Sequence, residues 1–180
     1  MSVSKLSRAY LFNAAAFIPV ILFLLYGRFG PGTAGVRWET AYVIGGILAI
    51  PHMIWLINSR AGHWIALGVD LYLLVGALLA ALSESAVQMW GQDLGAAPVL
   101  ASVFVVGIAA TLFSPLGFIG EISNNRARIR QLSLMLLITA AIAVAVSLAF
   151  RHSPLLGGVL PIVALVLVRG QLGKRLATAA

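Results

Sequence analysis

Residues 64–82 read WIALGVDLYLLVGALLAAL, nineteen positions with a single charge, Asp70. As an α-helix rising about 1.5 Å per residue, the segment reaches roughly 28 Å, close to the ~30 Å of hydrocarbon in a bilayer. Five further apolar stretches flank it, Tyr10–Tyr26, Ala41–Asn58, Ala97–Phe118, Leu132–Phe150 and Ser153–Val168. Together they predict an all-α, polytopic integral membrane protein with about six transmembrane helices, folded as one bundle domain over residues 1–180. The last stretch is the weakest. Gly157, Gly158 and Pro161 interrupt it and only 17 residues separate Arg151 from Arg169, so a re-entrant helix and five spans is the alternative.

Composition points the same way. Hydrophobic residues make up 61% of the 180 and charged residues 9%, with a mean hydropathy of +1.03. A soluble domain carries about 25% charged residues; the few present here could not cover a water-facing surface. The net charge of +7 suggests nucleic acid until the basic residues are placed. They lie in short segments between the apolar runs, so they are read as topology and no nucleic-acid partner is expected. Lys5, Arg8, Arg60, Arg126, Arg128, Arg130, Arg169, Lys174 and Arg175 fall on one side and Arg28, Arg37 and Arg151 on the other, nine against three. The positive-inside rule then puts both termini in the cytoplasm, in a cell inner (cytoplasmic) membrane. Tyr10, Trp55 and Trp64 fall near the inner interface and Tyr26, Trp38, Tyr42 and Trp90 near the outer one; only Tyr72 lies well inside a span. Lys5 and Arg8 before an apolar run resemble a signal peptide, but no small-x-small cleavage site closes the run, and a retained first helix is expected.

Chemistry is concentrated in one pair. His52 in the second span and Asp70 in the third each lie nine residues from Ala61 at the turn between them. Equal spacing from the turn of an antiparallel hairpin means equal depth. A carboxylate in hydrocarbon costs roughly 2.5–3.5 kcal/mol, so Asp70 must be protonated, paired or hydrated, and His52 is its candidate partner. Pro51 removes a hydrogen bond to Ile47, and Gly45 and Gly46 weaken the same helix. Asn13 in the first span and Ser114, before Pro115, share the same half. Asn13, His52, Asp70 and Ser114 would thus line a half-membrane pocket for a proton, a cation or a polar head group. The alternative is that His52 and Asp70 pin one helix to another and do nothing else.

Arg126, Arg128 and Arg130 form the densest positive patch, suited to anionic lipid or an acidic partner, or serving only to anchor the fourth and fifth spans. The outer loop Ser83–Ala96 carries Glu84, Gln88, Trp90 and Asp93 and no basic residue; it is either a site for an extracytoplasmic ligand or a solvated connection. Gly76 with Ala80, and Ala141 with Ala145, permit close helix approach. His52, His63 and His152 lie at different depths, so no metal or haem ligand set is evident. No phosphate loop or nucleophile elbow occurs, no cysteine is present, and no catalytic residue or cofactor is assigned.

The pattern Phe17-Ile18-Pro19-Val20 followed by Phe23 and Tyr26, with the length and helix count, resembles small bacterial inner-membrane proteins of the intracellular septation protein A type. The resemblance covers the first two spans and carries neither a function nor a site residue with it. The leading expectation is a non-enzymatic accessory, scaffold or protective (immunity-like) protein that binds a membrane-embedded partner. It would sit among membrane lipids as a homo-oligomer or part of a complex. The second expectation is a small transporter or channel subunit moving a proton, cation or polar solute through His52 and Asp70. An intramembrane enzyme is the third.

Overall fold

Local chemistry starts and stops each helix in the computed structural model, which describes residues 15–59, 62–121 and 125–177. Helix α1 (Ile18–Phe29) begins with Pro19 in its first turn, where a missing N–H costs nothing. Gly32, at φ +99°, turns the chain into α2 (Ala34–Asn58), which runs unbroken through Pro51. Gly62, at φ +63°, leads into α3 (Trp64–Leu82). The loop Ser83–Ala96 is itself helical: α4 (Glu84–Gln88) continues into a π-turn, Met89–Asp93. This pair is bent by 88° from α5 (Ala97–Phe113). Helix α6 (Arg126–Ala149) is capped by Asn125, whose side chain accepts from the Arg128 N–H at 3.0 Å. A second π-turn, Pro154–Val159, precedes α7 (Leu160–Ala177).

The described residues contain helices and no strand. Four segments are long and apolar enough to cross a membrane: α2, α3, α6 and Pro154–Leu176; a fifth is counted if α4, its π-turn and α5 make one broken span. Helix α1 has 12 residues, and residues 10–14 of the expected first span lie outside those described.

Four boundaries differ most from the hydropathy reading. Helix α2 starts at Ala34, seven residues before the expected Ala41, so Arg37, Trp38 and Glu39 lie on helix rather than loop. The expected span Ala97–Phe118 stops being helical at Phe113, because Pro115 forces Ser114 into an extended conformation (ψ 136°). Gly117 and Gly120, both at positive φ, then fold the rest of that apolar run back into the core, where Phe118 packs against Gly107. The fifth segment starts six residues early, since arginine is a good helix former and Asn125 supplies the cap, so the three arginines lie on helix rather than loop. The last segment runs to Ala177, nine residues beyond the apolar run, which places Arg169 in mid-helix.

Helices pack chiefly on their neighbours in chain order, α1 on α2, α2 on α3, α3 on α5, α5 on α6 and α6 on α7. Glycines set the closest approaches. Gly46 lets α2 meet Ala77 and the Leu73 carbonyl, and Gly68 lets α3 meet the backbone of Val103. Helix α3 separates two apolar clusters, one around Phe23, Tyr42 and Leu73, the other around Val103, Phe118 and Leu136. Large apolar side chains cover the outside, as in the stripe Ile47, Ile50, Ile54 and Ile57 along α2.

Candidate functional site

His52 and Asp70 meet. Each lies six residues from the helix end at the α2–α3 turn, about 9 Å along the axis. Their helices present them to one another, with His52 Nδ1 2.6 Å from Asp70 Oδ2. The Asp70 side chain is 1% exposed and that of His52 12%. The imidazole stacks on Trp55 one turn later, ring centroids 5.4 Å apart, and its Nε2 is buried without a hydrogen-bond partner among the described residues. One proton can sit on either atom of this contact: imidazole N–H donates to a carboxylate, or a carboxylic acid donates to neutral imidazole.

Ser114, the other described member of the expected pocket, is not brought there. It terminates α5, its Oγ accepting from the Leu116 N–H at 3.1 Å. It lines a cavity of about 450 Å³ with His63, Trp64 and Leu67, a cavity that neither His52 nor Asp70 lines. Asn13 lies outside the described residues. Burial, with Arg169 and then His52 adding to it, holds the pKa of His63 below the ordinary histidine value. Arg169, counted above as a loop residue, donates from Nη2 to the Gly62 carbonyl at 3.4 Å and ties α7 to the α2–α3 turn.

Of the three arginines at the start of α6, Arg128 donates from Nη2 to the Arg175 carbonyl at 3.3 Å, joining α6 to the last turns of α7. Arg126 and Arg130, one turn apart, line a cavity of about 440 Å³ with Thr111 and Ser114.

At the opposite end of the bundle is a site that hydropathy did not reveal. The hydroxyls of Tyr42 and Tyr72 hydrogen-bond to each other deep between α2 and α3. Phe23 packs on Tyr42 with ring centroids 4.7 Å apart and on Trp38 at 5.5 Å. Trp90 stacks on Tyr72 at 5.8 Å, its Nε1 donating to the Tyr72 carbonyl at 3.4 Å. The Tyr42 ring fits only because Gly76 and Gly91 lack side chains, so Gly76 seats a ring rather than another helix's backbone. Over these rings α4 and its π-turn form a roof enclosing about 530 Å³, with Glu39, Glu84 and Gln88 in the wall. The signal available beforehand was Tyr72, an aromatic too deep for the interfacial belt, together with an outer loop holding Glu84 and Trp90. Glu39 gave no sign, because the second carboxylate, Glu84, and the rings of Phe23 and Tyr72 come from other elements.

No family model, curated protein or solved structure matches this chain. The septation-protein resemblance of the first two spans is therefore taken no further, and function rests on the geometry.

The tyrosine pair allows a direct check on the packing. Tyr42→Phe is expected to destabilise the protein by about 1–2 kcal/mol, because it leaves the Tyr72 hydroxyl buried without its partner. Tyr42→Phe with Tyr72→Phe together is expected to cost less than that single change, in unfolding measured in mixed micelles. A double variant as costly as the sum of both single changes would show that the hydroxyls do not depend on one another.

Proposed function

We propose that this chain is a non-enzymatic polytopic inner-membrane protein that binds a membrane-embedded partner as an accessory, scaffold or protective component. In this reading it has about six spans and both termini in the cytoplasm. One observation carries the reading: the His52–Asp70 pair is shut between α2 and α3, and Ser114 lies in a different cavity. That arrangement suits a lock between two helices, while the helices packed in chain order leave broad apolar faces for lipid or a partner. Arg126 and Arg130, beside the exposed Phe113, suit an anionic lipid head group at the cytoplasmic face.

Extraction of the source membrane in mild detergent is the test. A distinct partner at fixed stoichiometry, seen by intact-mass measurement, is the expected result, and the same chain recovered only as a pure homo-oligomer or monomer would overturn the proposal.

A second reading is supported by the proton that the 2.6 Å contact can hold on either side and by the unpartnered Nε2 of His52. If the pair carries a proton or cation, Asp70→Asn abolishes a pH-dependent flux in proteoliposomes while the amide oxygen still accepts from His52. Unchanged flux in that variant removes Asp70 from any transport mechanism.

A further inference from the structure

We propose that the cavity beneath α4 is a binding site for an organic cation, a ligand carrying an alkylammonium group. Its walls come from four helices. Phe23 of α1, Trp38 and Tyr42 of α2 and Tyr72 of α3 supply aromatic rings, and α4 closes the top. Aromatic faces carry partial negative charge and attract ammonium groups, most strongly where water is excluded. The two tyrosine hydroxyls are engaged with each other, and Phe23, Tyr42 and Tyr72 are each exposed by 6% or less, so they form a packed aromatic wall that brings no free donor to the cavity.

Two carboxylates set the sign of the site. Glu39 and Glu84 both line it, and neither makes an ion pair or a hydrogen bond with any of the described residues. Among the described residues no lysine, arginine or histidine lines it; Arg28 and Arg37, on the same helices α1 and α2, do not reach it. A second copy of negative charge would be repelled here, and an uncharged ligand would leave both carboxylates without a counter-ion.

Size and polarity then narrow the cation. At about 530 Å³ the cavity is far larger than a bare metal ion and falls within the range of roughly 300–1,000 Å³ usual for small-molecule sites. A small hydrated ion would waste the apolar wall of Phe23, Leu24 and Trp38, whereas the alkyl substituents of an organic ammonium match it. The roof is held in place rather than draped. Gly91 sits against the Tyr42 hydroxyl, Trp90 is stacked on Tyr72, and Glu84 lies beside Gly35 at the first turn of α2. The same ammonium chemistry is offered by a soluble amine and by the head group of a zwitterionic lipid at this end of the bundle.

Choline and its uncharged isostere 3,3-dimethylbutan-1-ol differ chiefly in the charge that the site is argued to read. Titrated calorimetrically into the purified full chain in mild detergent, choline is expected to bind at least tenfold more tightly than the isostere. Glu39→Gln with Glu84→Gln is expected to abolish that preference and leave the binding of the isostere unchanged. Equal affinity for the two probes, or an undiminished preference in the double variant, would overturn the proposal. The comparison of probes on the natural chain decides the matter even if the variant does not fold. Repeating the titration in nanodiscs separates the sources: phosphatidylethanolamine that competes with choline through Glu39 and Glu84, where phosphatidylglycerol does not, marks a lipid head group as the occupant. Choline binding indifferent to the lipid marks a soluble cation. These measurements use purified protein alone, so they stand whatever the outcome of the search for a membrane partner.

Discussion

Replacing His52 with leucine is expected to destabilise the folded protein by about 3 kcal/mol, because it leaves the Asp70 carboxyl, 1% exposed, with nothing to share its proton or charge. Two known costs bracket that value. A carboxylate at the centre of a membrane helix costs roughly 2.5–3.5 kcal/mol on the insertion scale, and removing one partner of a buried ion pair in soluble proteins costs roughly 3–5 kcal/mol. The reverse change, Asp70→Leu, strands only a neutral imidazole and is expected to cost about 1–3 kcal/mol. Replacing both by leucine removes the stranded group in each case, so the double variant is expected to be more stable than His52→Leu alone. Reversible unfolding in mixed micelles across this double-mutant cycle measures the coupling. Strict additivity would mean that the 2.6 Å contact contributes nothing to the fold.

The second large effect is expected at Gly68. A Cβ there would fall well inside van der Waals contact distance of the Val103 Cα, with the Val103 backbone nitrogen also too close. Backbone in the middle of a helix cannot move aside as the tip of a side chain can. Gly68→Leu therefore has to separate α3 from α5, two residues from Asp70 on the same helix. Overpacking a close interface costs typically 1–3 kcal/mol, and four added carbons at a backbone contact are expected to reach about 3 kcal/mol or more. Gly170 on α7 is the control, since nothing lies within 4 Å of a side chain there. Gly170→Ala is expected to stabilise by about 0.5–1 kcal/mol through helix propensity alone. Similar melting shifts at the two positions would mean that α3 and α5 do not approach as closely as described.

The two sites were unequally legible in the chain. His52 and Asp70 could be paired beforehand because they are symmetric about one short turn, and a helical hairpin converts sequence distance into depth. Ser114 was placed only in the same half of the membrane, and it went elsewhere. Its place depends on Pro115 ending α5 and on the glycines at 117 and 120 turning the chain back, and hydropathy treats those residues as a continuation of the apolar run. Arg169 was misplaced for a related reason. A long side chain can donate to the Gly62 carbonyl from within a helix that a hydropathy count ends one residue earlier.

Composition and the lengths of the apolar runs by themselves determined that this is an all-helical chain with several membrane-length segments, and the helical rise determined that His52 and Asp70 share a depth. Both follow from properties that act along the chain: transfer of side chains into hydrocarbon and a constant 1.5 Å or so per residue. Only the tertiary structure decided rotation. Whether His52 faces Asp70, whether Tyr42 finds Tyr72, and whether Glu39 and Glu84 look into one cavity all depend on the angle of each helix about its own axis. That angle is set by packing against neighbours, by Gly46 on Ala77, Gly68 on Val103 and Gly76 on Tyr42, and uniformly apolar segments carry little record of it.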